Sequence, residues 1–391
     1  MKNRFQKAFL IAILLLCSSY VGSQESKPTR KTVMAAKNTI KESDFGKKYD
    51  FYDVVKDIEF VPLEMTDESI VGGVSMIKFY KNYILFLDEQ TKSIFIFDDK
   101  GKYIRKISRV GRGPGEYENI FDFCVHPKSG MITIVTISGK IITYSFDLKE
   151  FKEYNDVPYP VGIEQFNNGY YTITSQDKEA NLYILDANMK IVHKGLANPF
   201  PGLSILGKSF TKYGDTILCR LPTYYNDTIY QITPNSFRPW RVPDFEVHPD
   251  YSNPIQYMAP NPWGFQSYNC PDMQIFGGYP YSETNKFIVF GMIYPRNRDG
   301  AANLSYVIYS KKNKTVKVFD FSSLQNRPFD RPIPFCGVPD NKGRIVGAMD
   351  PNYILDCTIT KDDPITSRVK ELKKQLNEES NPVITFITYK E

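Results

Sequence analysis

Gly111-Arg-Gly-Pro-Gly115 is the stretch whose residue types come nearest to a ligand cradle. Glycines so closely spaced could wrap backbone N–H groups around a phosphate. No Gly-Lys-Ser/Thr follows, however, and no helical pattern opens after it. The run is therefore expected to be a tight turn in which glycine supplies positive φ. His126, His193 and His248 lie far apart, two of them at strand ends, so neither a zinc site nor histidine-dependent chemistry is expected. Cysteines 124, 219, 270, 336 and 357 include no Cys-x-x-Cys pair. Cys124 and Cys219 read as buried strand residues, while pairing among Cys270, Cys336 and Cys357 stays open in an oxidising compartment. No Gly-x-Ser-x-Gly elbow is present. Asp and Asn are plentiful, but no spacing marks them as a calcium set. Asp215-Thr-Ile and Asp227-Thr-Ile read equally as O-glycosylation acceptors or as strand entries. No catalytic residue, metal or cofactor is assigned.

What the chemistry-bearing residues do suggest is recognition. Arg112, Glu116, Tyr117, Tyr224, Tyr225, Trp263, Arg296 and Arg298 combine planar aromatics, guanidinium groups and one carboxylate. Such a set can stack on the faces of sugars or peptides and bind their hydroxyls or carboxylates. The competing reading is that these aromatics only pack long loops. A binding role requires elements that bring sequence-distant loops together, and the rest of the chain supplies them.

Short β-rich runs recur about every 52 residues. The first of each unit begins at Tyr83, Met131, Tyr170, Asp215, Lys286 and Arg344. A second follows at Ser93, Lys140, Asn181, Asp227, Leu304 and Val383, and a third at Lys102, Glu150, Lys190, Arg238 and Thr315. The sixth unit has no third run, whereas Asp57-Ile-Glu-Phe-Val-Pro-Leu-Glu64 alternates like one and has no unit of its own. With a weaker strand ahead of each first run, the pattern predicts an all-β six-bladed β-propeller. Its last blade is closed by the N-terminal strand Ile58 to Leu63, which removes the open edge. A sandwich or a string of hairpins is the competing arrangement. Residues 364–380 carry Val369, Leu372 and Leu376 at helical spacing, predicting one short helix inserted in the last blade.

In such a ring the connections after the third and first runs lie on one face. The long insertions fall there, and they hold all eight candidate residues named above.

Composition excludes several classes. The chain is 42% apolar and 14% aromatic, too apolar for disorder, and six cysteines are too few for a disulfide scaffold. The net charge of +5 includes Lys2, Arg4 and Lys7 of the leader, which leaves no nucleic-acid signature. Residues 8–16 form a short apolar run after that basic start, which is the pattern of a secretory signal rather than a spanning helix. Cleavage after Ser23 and lipidation of Cys17 both remain open. The expected layout is a signal peptide at 1–23, a polar tether at 24–47 and the propeller at 48–391.

Val61-Pro-Leu-Glu64, Gly111-Arg-Gly-Pro-Gly-Glu-Tyr117, Tyr225-Asn-Asp-Thr-Ile-Tyr230 and Asn381-Pro-Val383 together resemble the secreted "6-bladed β-propeller" family of Gram-negative bacteria. The glycine motif, with Phe121-Asp-Phe-Cys-Val-His-Pro127 after it, is similar to an NHL repeat. The resemblance implies a fold and an export route, with no reaction attached. Its members are often lipoproteins, which keeps Cys17 in view.

The function expected is an exported, monomeric binding or scaffold module. It would serve a carbohydrate, peptide or protein ligand in the periplasm or at the outer-membrane surface, touching membrane only through a lipid at Cys17. The alternative is a propeller lyase or calcium-dependent hydrolase acting on a small polar substrate. Fold alone does not choose between them.

Overall fold

Each repeat folds as a hairpin of two buried strands with a thinner strand on either side. In this computed structural model the described residues are 39–391 apart from 201–208, 222, 224–225, 248–249, 251, 254–255, 257, 261–265, 269–273, 276–280 and 297–301. Blade one is Ser75–Tyr80, Tyr83–Asp88, Ser93–Asp98 and Tyr103–Ile107, in that spatial order. Blades two to four repeat the order from Ile120–Val125, Pro160–Gln165 and Phe210–Tyr213 as their inner strands. Blade five starts at Ser282–Glu283, and its long hairpin Phe287–Arg296 and Ala302–Ser310 also pairs Gln274–Ile275. Blade six joins Val338–Pro339, Ile345–Met349 and Val383–Tyr389 to the N-terminal strand Val55–Pro62.

The fold is thus the expected six-bladed propeller, closed as the repeat pattern predicts. Ile58 lies opposite Ile387 and Pro62 opposite Val383 in the closing ladder. The middle strands read as unbroken apolar runs because both their faces are covered by neighbouring blades. Phe86, Phe95 and Phe97 are fully buried, and their rings stack at 5.7–6.2 Å. Asn381 ties the closure to the next blade: its amide donates to Ser69 and Glu64 carbonyls and accepts from the Val71 N–H.

The insertion of blade six holds two helices where one was expected. Pro364–Gln375 opens with a capping box between Asp363 and Thr366 and buries Ile365, Val369 and Leu372. It stops five residues before the expected end, because Asn377 and Ser380 form a turn. The second helix, Pro351–Leu355, is capped by Asp350, with proline at its first position. The longer helix lies along the closing strand, where Arg368 pairs with Asp57 and Tyr52 donates to Asp363.

Residues 39–47 fall in the segment expected to be a tether, yet they lie against the ring. Ile40 is buried and pairs with Phe245, its N–H donating to the Asp244 carbonyl at 2.8 Å. No helix among the described residues is long and apolar enough to cross a membrane.

Candidate functional site

The inner strand of every blade runs beside the axis, and a single charge sits in each of five such strands, Glu283 of blade five among them. Lys78, Asp122, Glu164 and Lys212 come from blades one, two, three and four. Lys78 Nζ reaches Glu164 Oε2 at 2.6 Å, and Lys212 Nζ lies 3.4 Å from Glu164 Oε1. Asp122 accepts the Ile163 N–H at 3.0 Å and the Phe123 N–H at 2.8 Å. Lys78, Glu164 and Lys212 line a cavity of about 110 Å³ whose apolar walls include Ile77, Phe79 and Phe210.

Charges taken out of water at this depth must be paired. Burial alone would raise the Glu164 carboxyl, but Lys78 and Lys212 outweigh it and hold the group at about 2. Burial would likewise depress Lys78, and Glu164 with Asp122 reverses this and raises it. Asp122 is the exception. Burial dominates there, Lys78 and the Ile163 N–H offset it only partly, and its carboxyl is pushed up to about 6. Burial also lifts the Cys124 thiol well above its usual range, so it stays protonated and is no nucleophile.

Above this cluster the first hairpin turns of all six blades converge on the axis. They frame a mouth of about 460 Å³ lined by Tyr80, Pro127, Asn167, Tyr213, Thr284, Asn285 and Asn341, with Lys212 at its inner end. The two acids at the mouth already have cationic partners. Glu283 accepts from Arg241 at 2.8 Å and Lys311 at 2.7 Å, as well as from Trp240 and Tyr281. Burial would raise its carboxyl, and those bonds keep it low. Asp340 holds Arg344 at 2.7 Å. Lys212 instead shares Glu164 with Lys78, and its side chain is 37% exposed. Among the described residues no group of three or more His, Cys, Asp or Glu side chains could hold a metal ion.

The residues named from the sequence sit elsewhere. The Gly111–Tyr117 run is an inter-blade turn, as expected, although only Gly115 of its three glycines has positive φ, at +68°. A side chain on Gly111 would press on the Glu116 carboxylate instead. Glu116 accepts the Gly113 N–H at 2.8 Å, and Tyr117 is buried with its hydroxyl donating to the Ile107 carbonyl. These two side chains hold the turn together. Arg112 is exposed and pairs with Glu118 at 2.6 Å. Arg296 ends the long strand of blade five. Tyr224, Tyr225, Trp263, Arg298 and Cys17 lie outside the described residues.

Cys336 and Cys357 are unpaired thiols in one core cluster, as Cys124 and Cys219 are unpaired elsewhere, while Cys270 lies outside the described residues. His126 accepts the N–H groups of Lys128 and Ser129 in a turn. The axial charges escaped the sequence reading because each stands alone on its inner strand, with no second charge at a telling spacing. A lone charge between apolar neighbours, as in Ile120-Phe-Asp-Phe123 or Gly162-Ile-Glu164, was the available signal.

A closed six-bladed ring with a charged axial cluster under a polar mouth defines a β-propeller. The chain belongs to the family described as Domain of unknown function (DUF4934), whose model matches residues 34–388. A crystal structure of a Bacteroides fragilis NCTC 9343 protein assigned as exported is similar over 90% of this chain and 99% of that one, with TM-score 0.72 and 18% identity. A DUF4221 family member from Bacteroides vulgatus ATCC 8482 is similar over 86% of this chain and 97% of that one, with TM-score 0.47 and 12% identity. Among curated proteins nothing matches the chain.

Proposed function

We propose that this protein is an exported binding module whose axial mouth receives a carboxylate-bearing sugar of a glycan. The observation that carries the reading is Lys212. Two lysines share the one carboxylate of Glu164, and the more exposed of them stands at the inner end of the mouth. A ligand carboxylate would complete its pairing in a site sheltered from bulk water, where charge-assisted bonds are strongest. The amides of Asn167, Asn285 and Asn341 offer donors and acceptors side by side, which suits neighbouring sugar hydroxyls. Export is supported by the basic and apolar leader and by the likeness to a protein assigned as exported. Intact mass of the native protein separates a chain starting at Gln24 from one carrying lipid on Cys17.

Calorimetric titration of the mature chain tests the binding role. Acidic sugars such as galacturonate should bind and galactose should not. Lys212→Gln should weaken acidic-sugar binding by about tenfold or more, the size of one charged hydrogen bond. Equal binding of galactose, or an unaltered Lys212→Gln variant, overturns the assignment.

A further inference from the structure

The axial mouth does not end at the axis. A second cavity, of about 740 Å³, opens on the same face between blades five and six, and Gly343 lines both. Two neighbouring turns divide their residues between them. Thr284 and Asn285 line the mouth while Lys286 and Phe287 line the outer cleft, and Asn341 faces the mouth while Lys342 and Arg344 face the cleft. Each cavity alone lies in the size range that encloses a small ligand, so the pair offers more room than one sugar needs.

The outer cleft is basic. Lys56, Lys286, Lys342, Arg344 and Lys390 line it, against the single acid Glu391. Arg344 is held by Glu59 at 2.6 Å and by Asp340, and Lys286 is held by Glu391. Lys56 and Lys342 are exposed, and neither has an ion-pair partner among the described residues.

We propose that mouth and cleft form one radial groove for a linear acidic oligosaccharide, one uronate held at Lys212 and later ones over Lys56 and Lys342. This rests on the axial reading above and adds the length and polarity of the ligand. Later residues of a bound chain would engage the cleft intramolecularly, so affinity should climb with chain length without new contacts at the axis.

The test is titration with digalacturonate and hexagalacturonate at low salt. In the wild type the hexamer should bind at least about tenfold tighter than the dimer, as tethered binding allows. The double variant Lys56→Glu/Lys342→Glu should lose that advantage while binding the dimer as before, with an unchanged melting temperature. Equal affinity for dimer and hexamer in the wild type overturns the groove, as does an advantage that survives in the double variant. If Lys212→Gln leaves dimer binding intact while the charge reversals abolish the length effect, the axial assignment fails and the cleft stands. If neither oligomer binds the wild type, both fall.

Discussion

Lys78 and Glu164 are joined at 2.6 Å although blade two stands between their blades in the ring. The bridge spans the intervening inner strand and lines the cavity at that depth. Glu164 is the only carboxylate that Lys78 and Lys212 share, so its removal strands a buried ammonium. Glu164→Gln should cost about 3–5 kcal/mol, the usual penalty for breaking a buried pair. Lys78→Met together with Glu164→Leu should recover much of that loss. Thermal and urea unfolding measure both, and a Glu164→Gln loss under about 1 kcal/mol would show the bridge to be structurally idle.

Asp122 supplies a pH dependence of defined sign. Its carboxyl is raised from 3.8 to about 6 by burial, so the folded state resists its ionisation. The stabilising contribution is therefore full below pH 3.8 and is lost as pH rises through about 6. Relative to Asp122→Asn, the wild type should lose up to about 3 kcal/mol between pH 4 and pH 7. Glu164 works in the opposite sense but far lower, because its contribution disappears only as pH falls through about 2. Parallel unfolding curves across that window decide the matter. Flat wild-type minus variant differences would remove Asp122 from the account.

Closure of the ring rests on Val55–Pro62, whose Ile58 is fully buried opposite Ile387. Removing residues up to Lys47 deletes the contacts of Thr39, Ile40, Glu42 and Phe45 with the 244–246 segment and its core cluster but no blade strand, and should lower the melting temperature slightly. Removing residues through Glu64 exposes the edge of Val383–Tyr389 and should cause gross destabilisation and self-association. Ile58→Ala isolates the packing part, at about 2–5 kcal/mol. Similar melting temperatures for the two truncations would contradict a load shared by the closing strand.

The ring was legible because the middle strands are buried on both faces, which forces runs such as Ser93-Ile-Phe-Ile-Phe97 that recur with the blade period. The closure was legible from one absence and one surplus, the missing outer strand after Tyr389 and the unassigned strand at Ile58. The inner strands were not, since Ser282–Glu283 and Val338–Pro339 are two residues long and leave no periodic trace. The inner strands of blades one to four carry the axial charges singly among apolar or small residues, a pattern that did not single them out. Turn residues carry a second demand. Glu116 and Tyr117 have the chemistry of ligand contacts, but a turn with three glycines needs an internal cap, and they provide it.

Two faces of the ring now compete for the ligand, and paired substitutions tell them apart. The loop-bearing face was favoured by sequence through Tyr225, Trp263 and Arg298; the opposite face holds the six converging hairpin turns and Lys212. If the axial mouth is the site, Lys212→Gln should weaken acidic-sugar binding about tenfold or more. Trp263→Ala and Tyr225→Ala, expected from the sequence on the loop-bearing face, should then leave the affinity within about twofold, since residues outside a binding centre contribute little. The mouth also predicts a pH effect on binding. As pH falls through about 6 the Asp122 carboxyl becomes neutral, so Lys78 draws on Glu164 alone and leaves Lys212 freer for a ligand carboxylate. A ligand carboxylate that stays ionised should bind more tightly at pH 5.5 than at pH 7.5 by about two- to fivefold, as weakened competition for a partly screened charge allows. Asp122→Asn should flatten that profile, a readout that loop packing on the far face cannot move. Loss of binding in Trp263→Ala with an intact Lys212→Gln and a flat wild-type profile would transfer the site to the loop-bearing face.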